Sequence, residues 1–179
     1  MIMKKIILII AFISISMLGK AQCNLPYKPL SSFGSDTTAF IIYNFMDRAD
    51  CYKGKTLKEV TKDLGMPVKY HAKILLSRGA LFSGINIYIY DDIIVSKLRD
   101  SNKDYNAIRI YWEKEINILD PQYDKVRISS WNKGFYDYVK DMRIKKLEVS
   151  IPKYSKYYEK YKKKETKSHD PNKRKEGVW

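Results

Sequence analysis

GKTLKEVTKDLGMPVKYHAKILLSRGALFSGINIYIY, residues 54–90, contains a change of hydrophobic period, and that change decides the fold. Thr56-Leu57-Lys58-Glu59 is a capping box, in which the Thr56 hydroxyl and the Glu59 carboxylate each accept from the other's backbone amide. The short helix it starts ends at Gly65, the residue type that enters the left-handed region without a Cβ penalty, and Pro67 prevents continuation. From Val68 the apolar spacing falls to two. Val68–Leu76 and Leu81–Tyr90 read as strands flanking Ser77-Arg78-Gly79-Ala80, a hairpin turn with a glycine free to take positive φ. In the second strand Ile85, Ile87 and Ile89 point one way, and Asn86, Tyr88 and Tyr90 point the other.

Working outward from this segment gives the rest of the domain. Upstream, Gln22–Ser35 holds two prolines and reads as an irregular lead-in. Ser35 or Asp36 can cap a helix through Ala39, Phe40, Tyr43, Phe45 and Met46 to about Asp50, its apolar positions recurring at three- and four-residue steps. Downstream, Asp91-Asp92 breaks the strand, Ile93–Leu98 is expected to continue the sheet, and Arg99–Asp104 is a polar loop. Asn106–Glu115 alternates Ile108, Ile110 and Trp112 against Arg109, Tyr111 and Glu113, so it is another strand with a wetter face. Asp120-Pro121 marks a turn. Ser129 or Ser130 can cap a further helix through Phe135, Tyr138, Val139 and Met142, with Gly134 weakening its interior. Leu147, Val149 and Ile151 alternate as a last strand, ended by Pro152. The expected fold is α+β: two N-terminal helices, an antiparallel sheet of four to five strands, one further helix, and a basic C-terminal helix or tail, with helices on one face of the sheet.

The run Gly54-Lys55-Thr56-Leu57-Lys58-Glu59-Val60, then Leu64-Gly65-Met66-Pro67 and a hairpin, resembles the opening of the SmpA/BamE-like outer-membrane assembly proteins. The similarity spans Ala39 to Tyr90 and implies a helix–helix–sheet core in an envelope protein. This chain departs from that pattern in lacking a lipobox and in adding a helix, a strand and a basic tail. More loosely, it is similar to small exported proteins of unknown function whose signals end in Gly-Lys-Ala-Gln.

The N-terminus supports the same compartment. Lys4 and Lys5, an apolar run from Ile6 to Leu18 and the small-x-small Gly19-Lys20-Ala21 have the layout of a secretory signal peptide. The run is short of the ~18–20 residues that span a bilayer. Cleavage is therefore expected after Ala21, releasing a mature protein without a transmembrane helix into the periplasm or the exterior. The expected division is a signal over 1–21, one α+β domain over 22–151, and a basic Tyr/Lys-rich helix and disordered tail over 152–179. Cys23 and Cys51 are the two cysteines. In an oxidising compartment they can close a loop worth about 3–4 kcal/mol, or they can remain two unpaired thiols. A lipid on Cys23 is disfavoured by Gln22 and Lys20 at positions that lipidation needs small and aliphatic.

The formal charge of +14 is unevenly spread. Residues 1–21 hold three lysines and no acid, and residues 152–179 hold ten Lys/Arg against four Asp/Glu, which leaves an excess of five for the domain. Basicity that belongs mainly to the tail of an exported chain argues against a nucleic-acid partner. The sequence carries no motif that calls for a metal or a cofactor. His71, read as a partly exposed strand residue, and His169 have no ligating neighbours at metal spacing. Asp91 and Asp92, adjacent at a strand end, point apart and do not make a catalytic dyad.

Tyrosine offers two candidate surfaces. Tyr88, Tyr90 and Tyr111, with Tyr70, can lie together on the wetter sheet face as plates with polar tips, unless a helix covers them. Tyr154, Tyr157, Tyr158 and Tyr161 fall at i, i+3, i+4 and i+7, one helical stripe among lysines. That stripe suits an anionic membrane surface, an acidic envelope protein, or the chain's own domain. The sequence therefore reads as a non-catalytic exported protein binding another envelope component. An inhibitor or immunity-type protein against an envelope-acting enzyme or toxin is the alternative, and a hydrolase of envelope polymers stands last for want of a motif set.

Overall fold

The computed structural model describes residues 23–76, 81–103, 105–124 and 131–161. The expected signal peptide, the hairpin turn at 77–80, Ser129 and Ser130, and the chain after Tyr161 lie outside them. The fold is α+β. Four strands, β1 (Tyr70–Leu75), β2 (Leu81–Tyr88), β3 (Ala107–Asn117) and β4 (Ile144–Ser150), form an antiparallel sheet in the order β1-β2-β3-β4.

Helix α1 (Thr37–Ile41) starts at Asp36, whose carboxylate accepts from the Ala39 amide at 2.8 Å. The single helix expected to Asp50 is instead built in three windings. A π-helical turn over Ile42–Asp47 and a 3₁₀ turn over Ala49–Tyr52 follow α1. The wide turn seats Asn44 wholly inside, where its amide donates to the Lys28 carbonyl at 2.8 Å and accepts from the Lys28 amide at 3.1 Å. A buried amide satisfied this way binds the lead-in to the helix.

Helix α2 (Leu57–Leu64) has the capping box read from the sequence, with Thr56 N–H donating to Glu59 at 2.8 Å and Glu59 N–H to the Thr56 hydroxyl at 3.3 Å. The next open donors of its first turn, the Leu57 and Lys58 amides, reach the carbonyls of Met142 and Lys140 at 3.3 and 2.8 Å. Gly65 ends it at φ 63°. The approach to α2 also covers the outer edge of β4, since Gly54 and Ile144 N–H donate to Ile144 and Lys55 carbonyls, both at 2.8 Å. That leaves this end of β4 unavailable for stray strand pairing.

Three expectations need correcting. Ile93–Leu98 does not extend the sheet but lies in helix α3 (Asp92–Asp100). Asp91 caps it by accepting from Ile94 N–H at 2.8 Å, Asp92 sits in the first turn, and Lys97 and Arg99 sit in the last. Caps and dipole-matched charges outweigh the β preference of Ile93-Ile94-Val95. After a four-residue helical turn α4 (Pro121–Asp124), helix α5 (Lys133–Val139) is capped by Asn132, not by a serine, its Oδ1 accepting from Phe135 N–H at 2.9 Å. The third concerns Tyr90, which lies two residues past the end of β2 rather than on its face.

The core lies between one face of the sheet and the helical layer. Phe40, Phe45, Tyr52, Leu57, Val60 and Leu64 meet Ile85, Ile87, Ile108, Ile110, Trp112, Leu147 and Val149, and Val139 and Phe135 complete the cluster, Phe135 against His71 of β1. Burial of these side chains, each worth roughly 1.5–3 kcal/mol, is the main stabilising term. Cys23 and Cys51 are disulfide-bonded, which settles the choice between a bridge and two thiols.

Candidate binding face on the sheet

With the helical layer on one side, the register fixes which side chains share the other. Tyr70 pairs with Tyr88, Asn86 with Arg109, Arg109 with Glu148, Gly84 with Tyr111, and Tyr111 with Lys146. Three ranks result. Tyr70 and Tyr88 stand side by side with ring centroids 5.3 Å apart. A polar rank crosses three strands: Arg109 Nε donates to Asn86 Oδ1 at 3.2 Å, and its guanidinium meets Glu148 at 3.5 Å. Lys146 pairs with the other Glu148 oxygen. Tyr111 and Lys146 form the third rank. Asn86, Tyr88, Arg109, Tyr111 and Glu148 are all half-buried, and the Arg109 and Glu148 side chains keep 40% and 33% of their surface. Burial first, then Tyr70 and Tyr105, raise the Tyr88 pKa against the pull of Arg109 and Arg99, so it is a neutral phenol at physiological pH.

The face ends in a cleft made by a large bulge. Phe82 pairs with Ile116 and Gly84 with Tyr111, so Ser83 alone stands opposite Trp112–Glu115. On the other side Tyr111 pairs with Lys146 and Trp112 with Ile144, leaving Lys145 as the extra residue. Such insertions bend a strand and re-aim its side chains. Here they open a cleft of about 650 Å³ whose lining includes Leu76, Ser83, Tyr111, Glu113, Lys145 and Lys146. Gly84 makes the bend possible: a Cβ there would lie 2.0 Å from the Ile110 carbonyl oxygen.

The tail tyrosines are placed differently. Of the stripe, only Tyr158 and Tyr161 lie in the short helical turn that closes the described chain. Tyr157 donates to Asp36 at 2.7 Å, and Lys156 reaches the same oxygen at 2.7 Å. Tyr161 is 5% exposed and donates to Asp47 at 3.2 Å. Burial and Asp47 push its pKa up to about 12. Residues 152–161 thus pack on the domain, with Tyr157 and Tyr161 turned toward α1 and the π turn, while Tyr154 is exposed and Tyr158 half-buried. Of the seven tyrosines singled out, Tyr88 and Tyr111 share the sheet face, Tyr90 is off it, and the tail four lie elsewhere.

His71 corrects another expectation. It faces the core at 2% exposure, stacked on Phe135 with ring centroids 4.0 Å apart. Neither ring nitrogen has a hydrogen-bond partner. Burial first, with Lys73 adding, holds its pKa at about 4. Among the described residues no group of three or more His, Cys, Asp and Glu is placed to hold a metal, and no helix is long and apolar enough to cross a membrane.

Arg109, Glu148, Lys146 and the cleft's Ser83, Glu113 and Lys145 were not singled out from sequence. The alternation of β3 signalled that Arg109 faces away from Ile108 and Ile110, but the register that sets it between Asn86 and Glu148 joins segments 23 and 39 positions away. No protein-family model matches this chain, and neither does any curated protein or solved structure.

Proposed function

We propose that the protein is an exported, non-catalytic binding protein of the cell envelope, and that its contact surface is the outer sheet face rather than the tail. The observation that carries this reading is the polar rank Asn86–Arg109–Glu148 set between tyrosine plates on the sheet face opposite the core. A face serving stability alone gains little from two half-exposed ions whose pairing contributes at most about 1 kcal/mol. Rigid tyrosines beside such ions instead suit recognition, because they offer area at low entropic cost. The tail competes poorly for this role, since Tyr157 and Tyr161 are already committed to Asp36 and Asp47. The disulfide fits an oxidising compartment and supports export.

Envelope retention tests the reading. In fractionated cells that make the protein, a Tyr111→Ala/Arg109→Ala variant is expected to leave the envelope fraction for the soluble one. A Tyr154→Ala/Lys160→Ala variant is expected to stay. Equal retention of the face variant, with its melting temperature unchanged, contradicts the proposal.

A further inference from the structure

We infer that the Tyr70–Tyr88 pair, the Asn86–Arg109–Glu148 rank and the cleft beyond Tyr111 form one binding track for an oligosaccharide. The inference rests on the sheet-face reading and names the chemical class of its ligand.

Three features select a sugar over a protein surface. The first is the order of the ranks. Aromatic plates lie at both ends, Tyr70 and Tyr88 at one and Tyr111 at the other, with hydrogen-bonding groups between. Pyranose rings present C–H faces that stack on such plates and a rim of hydroxyls that both donate and accept.

The second is the mixed polarity of the middle rank. Arg109 is donor-only, Glu148 accepts, and Asn86 does both, so together they match hydroxyls, which need both. The core of a protein–protein interface is instead depleted of charge. Covering Arg109 and Glu148 with apolar side chains would strip two ions of water, whereas a polyol keeps them hydrogen-bonded.

The third is extent. Tyr88 and Gly84 are four residues apart, about 13 Å at ~3.3 Å per strand residue, and the cleft continues past Tyr111. That length suits several linked rings rather than one. The cleft's roughly 650 Å³ lies within the range of small-ligand sites. Glu113 and Glu115 are balanced there by Lys114, Lys145 and Lys146, which leaves a weak positive excess and no bar to neutral or weakly acidic sugars.

The test titrates ¹⁵N-labelled protein, residues 22–179 with the disulfide intact, with three soluble probes. These are hexamers of β-1,4-linked N-acetylglucosamine, β-1,4-linked glucose and α-1,4-linked galacturonate. At millimolar concentration at least one is expected to shift the amides of Tyr88, Arg109, Tyr111 and Lys146 together. Tyr111→Ala should weaken that probe about tenfold, the loss of one stacking plate, and Tyr154→Ala should leave it unchanged. Circular dichroism melting verifies that each variant is folded. A spectrum unmoved by all three probes, or shifts confined to residues outside the track, overturns the inference. If the sugars fail while the Tyr111→Ala/Arg109→Ala variant still leaves the envelope, the face binds a protein and the broader reading stands. If both fail, both fall.

Discussion

His71 is the residue whose environment departs furthest from its sequence reading. The strand register turns it inward against Phe135, and both its nitrogens are without partners. Folding therefore requires the neutral ring. Its folded pKa of about 4 lies below the unfolded value near 6.5, so between these limits the unfolded chain binds a proton that the folded one does not. Stability must fall as pH drops from about 6.5 toward 4, by up to about 3 kcal/mol. His71→Phe keeps the stack and removes the titration. Urea midpoints at about pH 7.5 and pH 4.5 should differ less for this variant than for the parent, and an undiminished difference would refute the assignment. Gly84 makes a second residue-scale prediction. Its absent Cβ would meet the Ile110 carbonyl oxygen at 2.0 Å, so Gly84→Ala should cost at least about 2 kcal/mol in chemical unfolding. Neither position was legible. Phe135 lies 64 positions from His71, and nothing local to Gly84 announces that β3 bulges opposite it.

Elements defined by local chemistry were the readable ones. The Thr56 box, the Gly65 stop, the alternation of β3 and that of β2 as far as Tyr88 are each written within a few residues, and each stands where the sequence put it. Helix α3 was misread because three adjacent β-branched or apolar residues outvoted a two-aspartate start. The tail was half legible: its tyrosine spacing was visible, but their acceptors, Asp36 and Asp47, are more than a hundred positions away. Asp36 supplies the element-scale prediction. Partial burial would raise its pKa, but hydrogen bonds from Lys156, Tyr157 and the Ala39 amide outweigh that and hold it at about 2. The clamp is therefore fully present above the unfolded value near 3.8 and is lost as pH falls through about 2. Asp36→Asn keeps a good helix cap while removing the charge that Lys156 pairs with. Hydrogen exchange at residues 153–161 should then rise several-fold at neutral pH while α2 and β3 keep their protection. Unchanged exchange at 153–161 would mean that the clamp is not what holds the segment.

At the scale of the whole molecule, the lead-in is tied down by covalent and polar straps rather than by regular structure. Besides the disulfide, Arg48 donates to the Leu25 carbonyl at 2.9 Å, Tyr43 to Pro26 at 3.1 Å and Tyr27 to Asp63 at 2.9 Å. The bridge joins residues 28 apart, so reducing it should lower the unfolding free energy by about 3–4 kcal/mol. With Asn44 and Arg48 still in place, the reduced protein should keep its far-UV spectrum at room temperature. This arrangement secures the core side of the sheet, and the Tyr and Arg109 ranks lie on its other side, with Arg99 of α3 near Tyr88. Placing a photo-crosslinking amino acid at 86 or 111, and for comparison at 58 or 154, tests that division most directly in cells producing the protein. Adducts are predicted from positions 86 and 111 and not from 58 or 154. Adducts from 154 with none from 86 or 111 would contradict the account and return the contact to the tail.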